Sequence, residues 1–231
     1  MLQLQNLFEN YITLIYLRYV FKEKILSILI GIIPISYIFG SFSVNINILL
    51  IIIYGVVLYF GGKRFKLSGI DNLIILFFGY ILFTSIYNTI EIYAFQQNEK
   101  KDFYILNKSL LFLRYLFLYL SIRLLIVNKL LDFKIIFYLF SSTAAFVIFD
   151  VILQFFVGKD IFGFSSPFTH KNTGPFFDEA IAGGFIQRFS LFIFFTLILY
   201  SKIKKTSWKI YILSLIFFLT LISIIFSGNR M

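Results

Sequence analysis

A chain of 231 residues that is 60% apolar, holds 33 Phe and has a mean hydropathy of +0.91 cannot hide its hydrocarbon as a water-soluble domain. Its net charge of +10 does not signal nucleic acid, because the cations fall in short clusters between apolar runs and no polar domain carries a basic, aromatic-interleaved patch. The absence of Cys excludes disulfides, thiolate metal sites and a Cys nucleophile.

In residues 1–24, Leu4, Leu7, Phe8, Tyr11, Leu14, Ile15 and Arg18 recur at helical spacing. With no basic n-region before them and no small-residue cleavage site after, they predict an interfacial amphipathic helix rather than a cleaved signal. From Ile25 to Gly62 there is no charge for 38 residues. One helix of that length would reach about 57 Å, against a hydrocarbon core of about 30 Å. Gly40-Ser41-Phe42-Ser43, followed by Asn45 and Asn47, is the natural break and gives spans over 25–40 and 46–62. Further spans are predicted over 71–88, 109–127, 134–157, 179–200 and 210–226, with a polar loop from Glu91 to Lys108. The fold class is therefore an all-α, polytopic transmembrane bundle of seven spans, with residues 25–231 forming the membrane domain.

Orientation follows from the cations. One set of loops and span ends holds Arg18, Lys22, Lys24, Lys63, Arg64, Lys66, Arg123, Lys129, Lys134, Lys202, Lys204, Lys205 and Lys209. The other holds Lys100, Lys101, Lys108, Lys159 and Lys171. The positive-inside rule then puts the N-terminus in the cytoplasm. The stretch from Phe168 to Phe189 faces outward, as does the end of the seventh span.

That outward stretch is where polar chemistry gathers. It contains the only His (His170), together with Lys171, Asp178, Glu179 and Arg188, and three of the thirteen glycines. Acids in the first turn of a helix offset its dipole, which is the plain reading of Asp178 and Glu179; the sharper one is a carboxylate that takes a hydroxyl proton. A lone His without Cys has no metal-site spacing. Ile181, Gly184 and Arg188 lie close to one helical face, where small residues permit either helix packing or approach of a ligand. Within the spans, Arg114 and Asp150 are placed at similar depths below the outer edge, so a structural ion pair is expected if their helices are neighbours. Arg123, half a helical turn round from Arg114, is expected to snorkel toward the cytoplasmic side.

The run Lys171-Asn-Thr-Gly174-Pro-Phe176-Phe-Asp178-Glu179-Ala-Ile-Ala-Gly183-Gly184-Phe-Ile-Gln-Arg188 resembles the periplasmic signature of the O-antigen ligase and O-antigen polymerase superfamily. Members often show Arg, two residues, Gly, a small residue or Pro, Phe, a polar pair and then a glycine-containing segment entering a helix. Ser227-Gly228-Asn229-Arg230 resembles the family's Ser/Thr-Gly-x-Arg. Lys171 replaces the usual Arg, keeping the charge but losing the bidentate fork that suits phosphate oxygens. The family normally continues into a large periplasmic loop and further spans, so the sequence is expected to be an N-terminal part.

The resemblance implies a membrane glycosyltransferase in the bacterial inner membrane, working on its periplasmic side without metal or other cofactor. Its donor would be a polyprenyl-diphosphate-linked glycan and its acceptor either lipid A-core or a growing glycan. Under it, Lys171, Arg188 and Arg230, with Gly174 and Gly184, would bind substrate; Glu179, Asp178 or His170 would serve catalysis. A lipid-linked glycan flippase or exporter, or a non-catalytic membrane component of polysaccharide assembly, are the alternatives. Polar residues along several spans would mark a flippase, and most spans here are plain.

Overall fold

The computed structural model describes residues 23–96, 102–203 and 205–228, so most of the interfacial segment and Arg230 lie outside the described residues. Among them every regular element is helical: α1 (23–31), α2 (Ile33–Ile38), α3 (Ser41–Phe60), α4 (Gly69–Gln96), α5 (Asp102–Phe112), α6 (Arg114–Val127), α7 (Phe133–Val157), α8 (Ala182–Tyr200) and α9 (Thr206–Phe226), with a 3₁₀ turn at Gly174–Phe176. The chain is all-α and polytopic. Six helical stretches are long and apolar enough to cross a bilayer, α5 and α6 together making one of them. The chain is a multi-pass membrane protein.

The remaining expected span, the first at 25–40, is the one that differs, because it is broken into α1 and α2. Ladder bonds are missing there, two of them for identifiable reasons. Pro34 has no N–H to give. The Asn47 amide, oriented to satisfy both groups, inserts into the ladder, donating to the Leu29 carbonyl at 3.1 Å and accepting from Ile33 N–H at 3.2 Å. The neighbouring bonds from Ile32 to Ile28 and from Ser36 to Ile32 survive, both at 2.9 Å. A side chain inserted into the ladder is a recognised cause of a kink. Asn47 is thus a buried residue of α3 rather than part of a loop, and α3 begins at Ser41 instead of 46.

The predicted loop from Glu91 to Lys108 is also largely helical: α4 runs to Gln96 and α5 starts at Asp102. The segment contains neither Gly nor Pro, and Glu, Gln and Lys are good helix formers, so polarity there was not a breaker signal.

The described helices form two compact units, residues 1–47 with 131–231 and residues 48–130. In the first, α7 is central. Half of its apolar stretch is buried, against 11% for α9. Ala144, Val147 and Val151 of α7 pack on Ala182, Phe185 and Ile186 of α8 and on Phe176. Further along, Ser141 donates to the Phe192 carbonyl at 2.8 Å and Thr196 to the Phe137 carbonyl at 3.1 Å. These hydroxyls join two backbones where lipid supplies no hydrophobic drive between helices. Asp132 caps the start of α7 by accepting from Lys134 N–H at 2.9 Å, and Gly158, at φ +79°, ends it.

The second unit is joined by α4 against α5 and α6. Ser109 donates to Ser85 at 2.9 Å, and Phe78 stacks on Phe112 with ring centroids 5.3 Å apart. Ser68 and Asp71 form a capping box at the start of α4. Ser68 N–H donates to Asp71 Oδ2 at 2.7 Å, and Asp71 N–H to Ser68 Oγ at 3.3 Å.

Candidate functional site

The stretch from Phe168 to Phe189 is built on the end of α7. Gly174 adopts φ +56° and donates its N–H to Gln154 Oε1 at 2.8 Å. A Cβ at Gly174 would lie 2.8 Å from Val151 Cγ2 and 3.9 Å from Asp150 Oδ2. Only glycine fits this backbone conformation and this approach. The preceding loop is tied to the same turn of α7, since Ile161 N–H donates to Asp150 Oδ1 at 2.7 Å. Asp160 holds that loop closed by accepting from Phe164 N–H at 2.6 Å, while its own N–H reaches the Phe164 carbonyl at 2.9 Å.

The other side of the stretch rests on the end of α9. Asn172 donates to the Phe226 carbonyl at 2.7 Å. Gly228, at φ +62°, faces the His170 carbonyl so closely that a Cβ there would overlap it, and the same Cβ would stand 3.2 Å from Lys171 Cα. The two segments that carry the sequence resemblance are therefore in contact. His170 and Lys171 remain exposed, with the Lys171 ammonium 5.7 Å from the Phe168 ring centre.

Beyond the 3₁₀ turn the chain bends sharply at Phe177, whose φ of +52° is costly for a bulky residue. Its ring lies 6.1 Å from Phe162 and 5.4 Å from Phe164. The bend delivers Asp178 and Glu179, both exposed, to the wall of an open pocket of about 300 Å³. Tyr37, Ile38, Phe39, Gly40, Phe176 and Phe177 form the rest of the wall. Helix α8 begins only at Ala182, so the acids precede it and do not occupy its first turn. Dipole compensation in that first turn does not account for them.

Arg188 lies on the exposed surface of α8 and is not among the residues lining this pocket. Among the described residues a Cβ at Gly184 would meet nothing within 4 Å, so their packing does not require a glycine there. Among the described residues no group of three or more His, Asp or Glu side chains converges to hold a metal ion.

Arg114 and Asp150, expected to pair, belong to different units, and each makes a hydrogen bond within its own. Arg114 donates to the Tyr115 hydroxyl at 3.1 Å and stands 4.9 Å from that ring's centre. It is ten residues from Tyr104 and thirteen from Val127, near the middle of the stretch rather than near its outer edge, because the helix starts earlier than predicted. Asp150 is fully buried; one oxygen takes the Ile161 amide and the other has no hydrogen-bond partner among the described residues.

Arg123, expected to snorkel, has a carboxylate beside it. Its Nε lies 3.4 Å from Asp71 Oδ1, and Asp71 also accepts from the Tyr119 hydroxyl. The fully buried Asp71 was missed by the sequence reading, although the Ser-x-x-Asp capping box at 68–71 was visible. No protein-family model matches this chain, and comparison with curated proteins and with solved structures likewise finds no match.

Proposed function

We propose that the protein is a membrane glycosyltransferase of a bacterial inner membrane, polymerising or ligating polyprenyl-diphosphate-linked glycan at its periplasmic face. The observation that carries this reading is the pocket joining Asp178 and Glu179 to the rings of Tyr37, Phe39, Phe176 and Phe177. Aromatic faces take the apolar C–H faces of a sugar ring, while carboxylates accept hydrogen bonds from its hydroxyls. At about 300 Å³ the pocket falls at the lower end of the range of small-ligand sites, room for a sugar unit with the rest of the glycan outside.

In the reaction, Glu179 or Asp178 takes the proton of an acceptor hydroxyl as its oxygen bonds to the donor's anomeric carbon. The bond from that carbon to the phosphate oxygen breaks, and polyprenyl diphosphate leaves with the electron pair. Its growing negative charge calls for fixed cations at the membrane edge, the role assigned to Lys171 and Arg188. The resemblance of 171–188 to the O-antigen ligase and polymerase signature supports the same assignment.

The test is surface glycan length in cells whose only copy of the gene encodes Asp178→Asn or Glu179→Gln. At least one variant should lose long glycan while still inserting into the membrane. Wild-type glycan from both would reject the pocket as the site of transfer.

A further inference from the structure

The basic run Lys63-Arg64-Phe65-Lys66 is, in sequence, only a marker of membrane orientation. Its structure gives it more to do. Helix α3 ends in a Schellman turn: Lys63 N–H donates to the Leu58 carbonyl at 3.1 Å and Gly62 N–H to the Tyr59 carbonyl at 3.2 Å, with Gly62 at φ +90°. The turn folds the chain back, and Arg64 donates to the Tyr59 carbonyl at 2.6 Å with its guanidinium carbon 3.9 Å from the Tyr59 ring centre. Residues 63–68 are neither helix nor strand, and alternate ones differ in role. Phe65 and Leu67 line a crevice, whereas Lys63, Arg64 and Lys66 stand exposed beside it.

That crevice encloses about 450 Å³ and is walled almost wholly by hydrocarbon, with Tyr59, Val56, Ile75, Phe117 and Leu124 among its lining residues. It extends from Phe60 down to Ile52, about 12 Å along α3 at about 1.5 Å per residue. Its wall includes Gly55 and Ser121, which approach so closely that a Cβ on Gly55 would overlap the Ser121 side chain.

We propose that this crevice binds one acyl chain of an acidic phospholipid whose phosphate rests on Lys63, Arg64 and Lys66. Charge decides the occupant. Three cations lie within four residues, and no carboxylate occurs between Glu23 and Asp71. Asp71 is already engaged by Arg123, Tyr119 and Ser68, so it does not neutralise the rim. A neutral or zwitterionic lipid would leave the rim cations uncompensated. A free inorganic anion would leave the apolar crevice unfilled. The assignment does not depend on the glycosyltransferase reading.

The experiment is native mass spectrometry of the purified protein with phosphatidylglycerol or phosphatidylcholine of identical chains. One phosphatidylglycerol should be retained per chain, with at least about tenfold preference over phosphatidylcholine, given the attraction of a few juxtamembrane cations. Lys63→Gln/Arg64→Gln/Lys66→Gln should abolish the preference. Val56→Trp, which fills the crevice from a partly exposed position, should weaken both lipids. Arg64→Gln alone should lower the preference if the triple variant fails to fold. Equal retention of the two lipids by the wild type, or a preference surviving loss of the cations, would overturn the proposal. So would competition by inorganic phosphate as effective as that by phosphatidylglycerol, which would leave an anion site without a lipid.

Discussion

The backbone N–H of Gly174 donates to the side-chain oxygen of Gln154 at 2.8 Å, deep enough that both residues are buried. That bond, with the one from Ile161 to Asp150, fixes an outward loop to a rigid helix. Gln154→Leu should therefore leave a buried amide unpaired and lower stability by about 1–3 kcal/mol. Gly174→Ala should be at least as damaging, since the new Cβ meets Val151 at 2.8 Å and the backbone sits at positive φ. Thermal unfolding in detergent measures both; an unchanged midpoint for Gly174→Ala would show that the loop is not held there.

Asp150 presents a separate case, because among the described residues only one of its oxygens has a partner although the residue is fully buried. Asp150→Asn retains an acceptor for Ile161 N–H and removes the cost of burying a charge, so folded yield should equal or exceed that of the wild type. Asp150→Leu removes the acceptor and should lower yield. If Asp150→Asn is instead the more damaging change, the charge has a role that stability does not explain.

Asp71 and Arg123 are expected to behave as a coupled pair. Arg123→Leu leaves the buried Asp71 without its cation and should reduce folded protein strongly. Asp71→Asn combined with Arg123→Leu should recover part of the loss. Tyr119→Phe, which removes one hydrogen bond to the Asp71 carboxylate and leaves the cation in place, should cost less. Strictly additive effects of Asp71→Asn and Arg123→Leu would argue against coupling.

Which features were legible from sequence follows from the forces involved. Apolar length alone located α7, placed at 134–157 and found at Phe133–Val157, because a membrane span is bounded by charge on both sides. The kink between α1 and α2 was not legible: Pro34 was visible, but the insertion of Asn47 is a long-range contact that local pattern does not encode. The start of α8 was misplaced because Asp178 and Glu179 looked like first-turn acids, whereas the positive φ of Phe177 holds them in a separate turn. Arg123 lacked an evident partner because its carboxylate is 52 positions away, at the start of α4.

The proposed orientation has a direct consequence for reporter fusions. A reporter active only in the periplasm should work when joined after Thr173 and fail after Lys205. The reverse pattern would invert the topology and remove Lys171, Asp178 and Glu179 from the periplasmic face.

The last expectation concerns the joint between the outward loop and α9. Gly228 sits against the His170 carbonyl, and Asn172 reaches the Phe226 carbonyl at 2.7 Å, so two contacts hold the end of α9 beside Lys171. If Lys171 neutralises a leaving diphosphate, its worth depends on being fixed in place before the reaction. Gly228→Ala introduces both a clash and a strained φ, and should separate the loop from the helix end. Asn172→Ala removes one hydrogen bond, a net loss of about 1 kcal/mol, and leaves the glycine contact intact. Long surface glycan should therefore fall sharply in Gly228→Ala and modestly in Asn172→Ala, with both proteins still inserted in the membrane. Lys171→Gln should abolish it, while Lys171→Arg should preserve it, because the arginine keeps the charge and adds a fork for phosphate oxygens. Wild-type glycan from Lys171→Gln together with loss in Gly228→Ala would assign the joint a purely structural role and exclude Lys171 from donor binding.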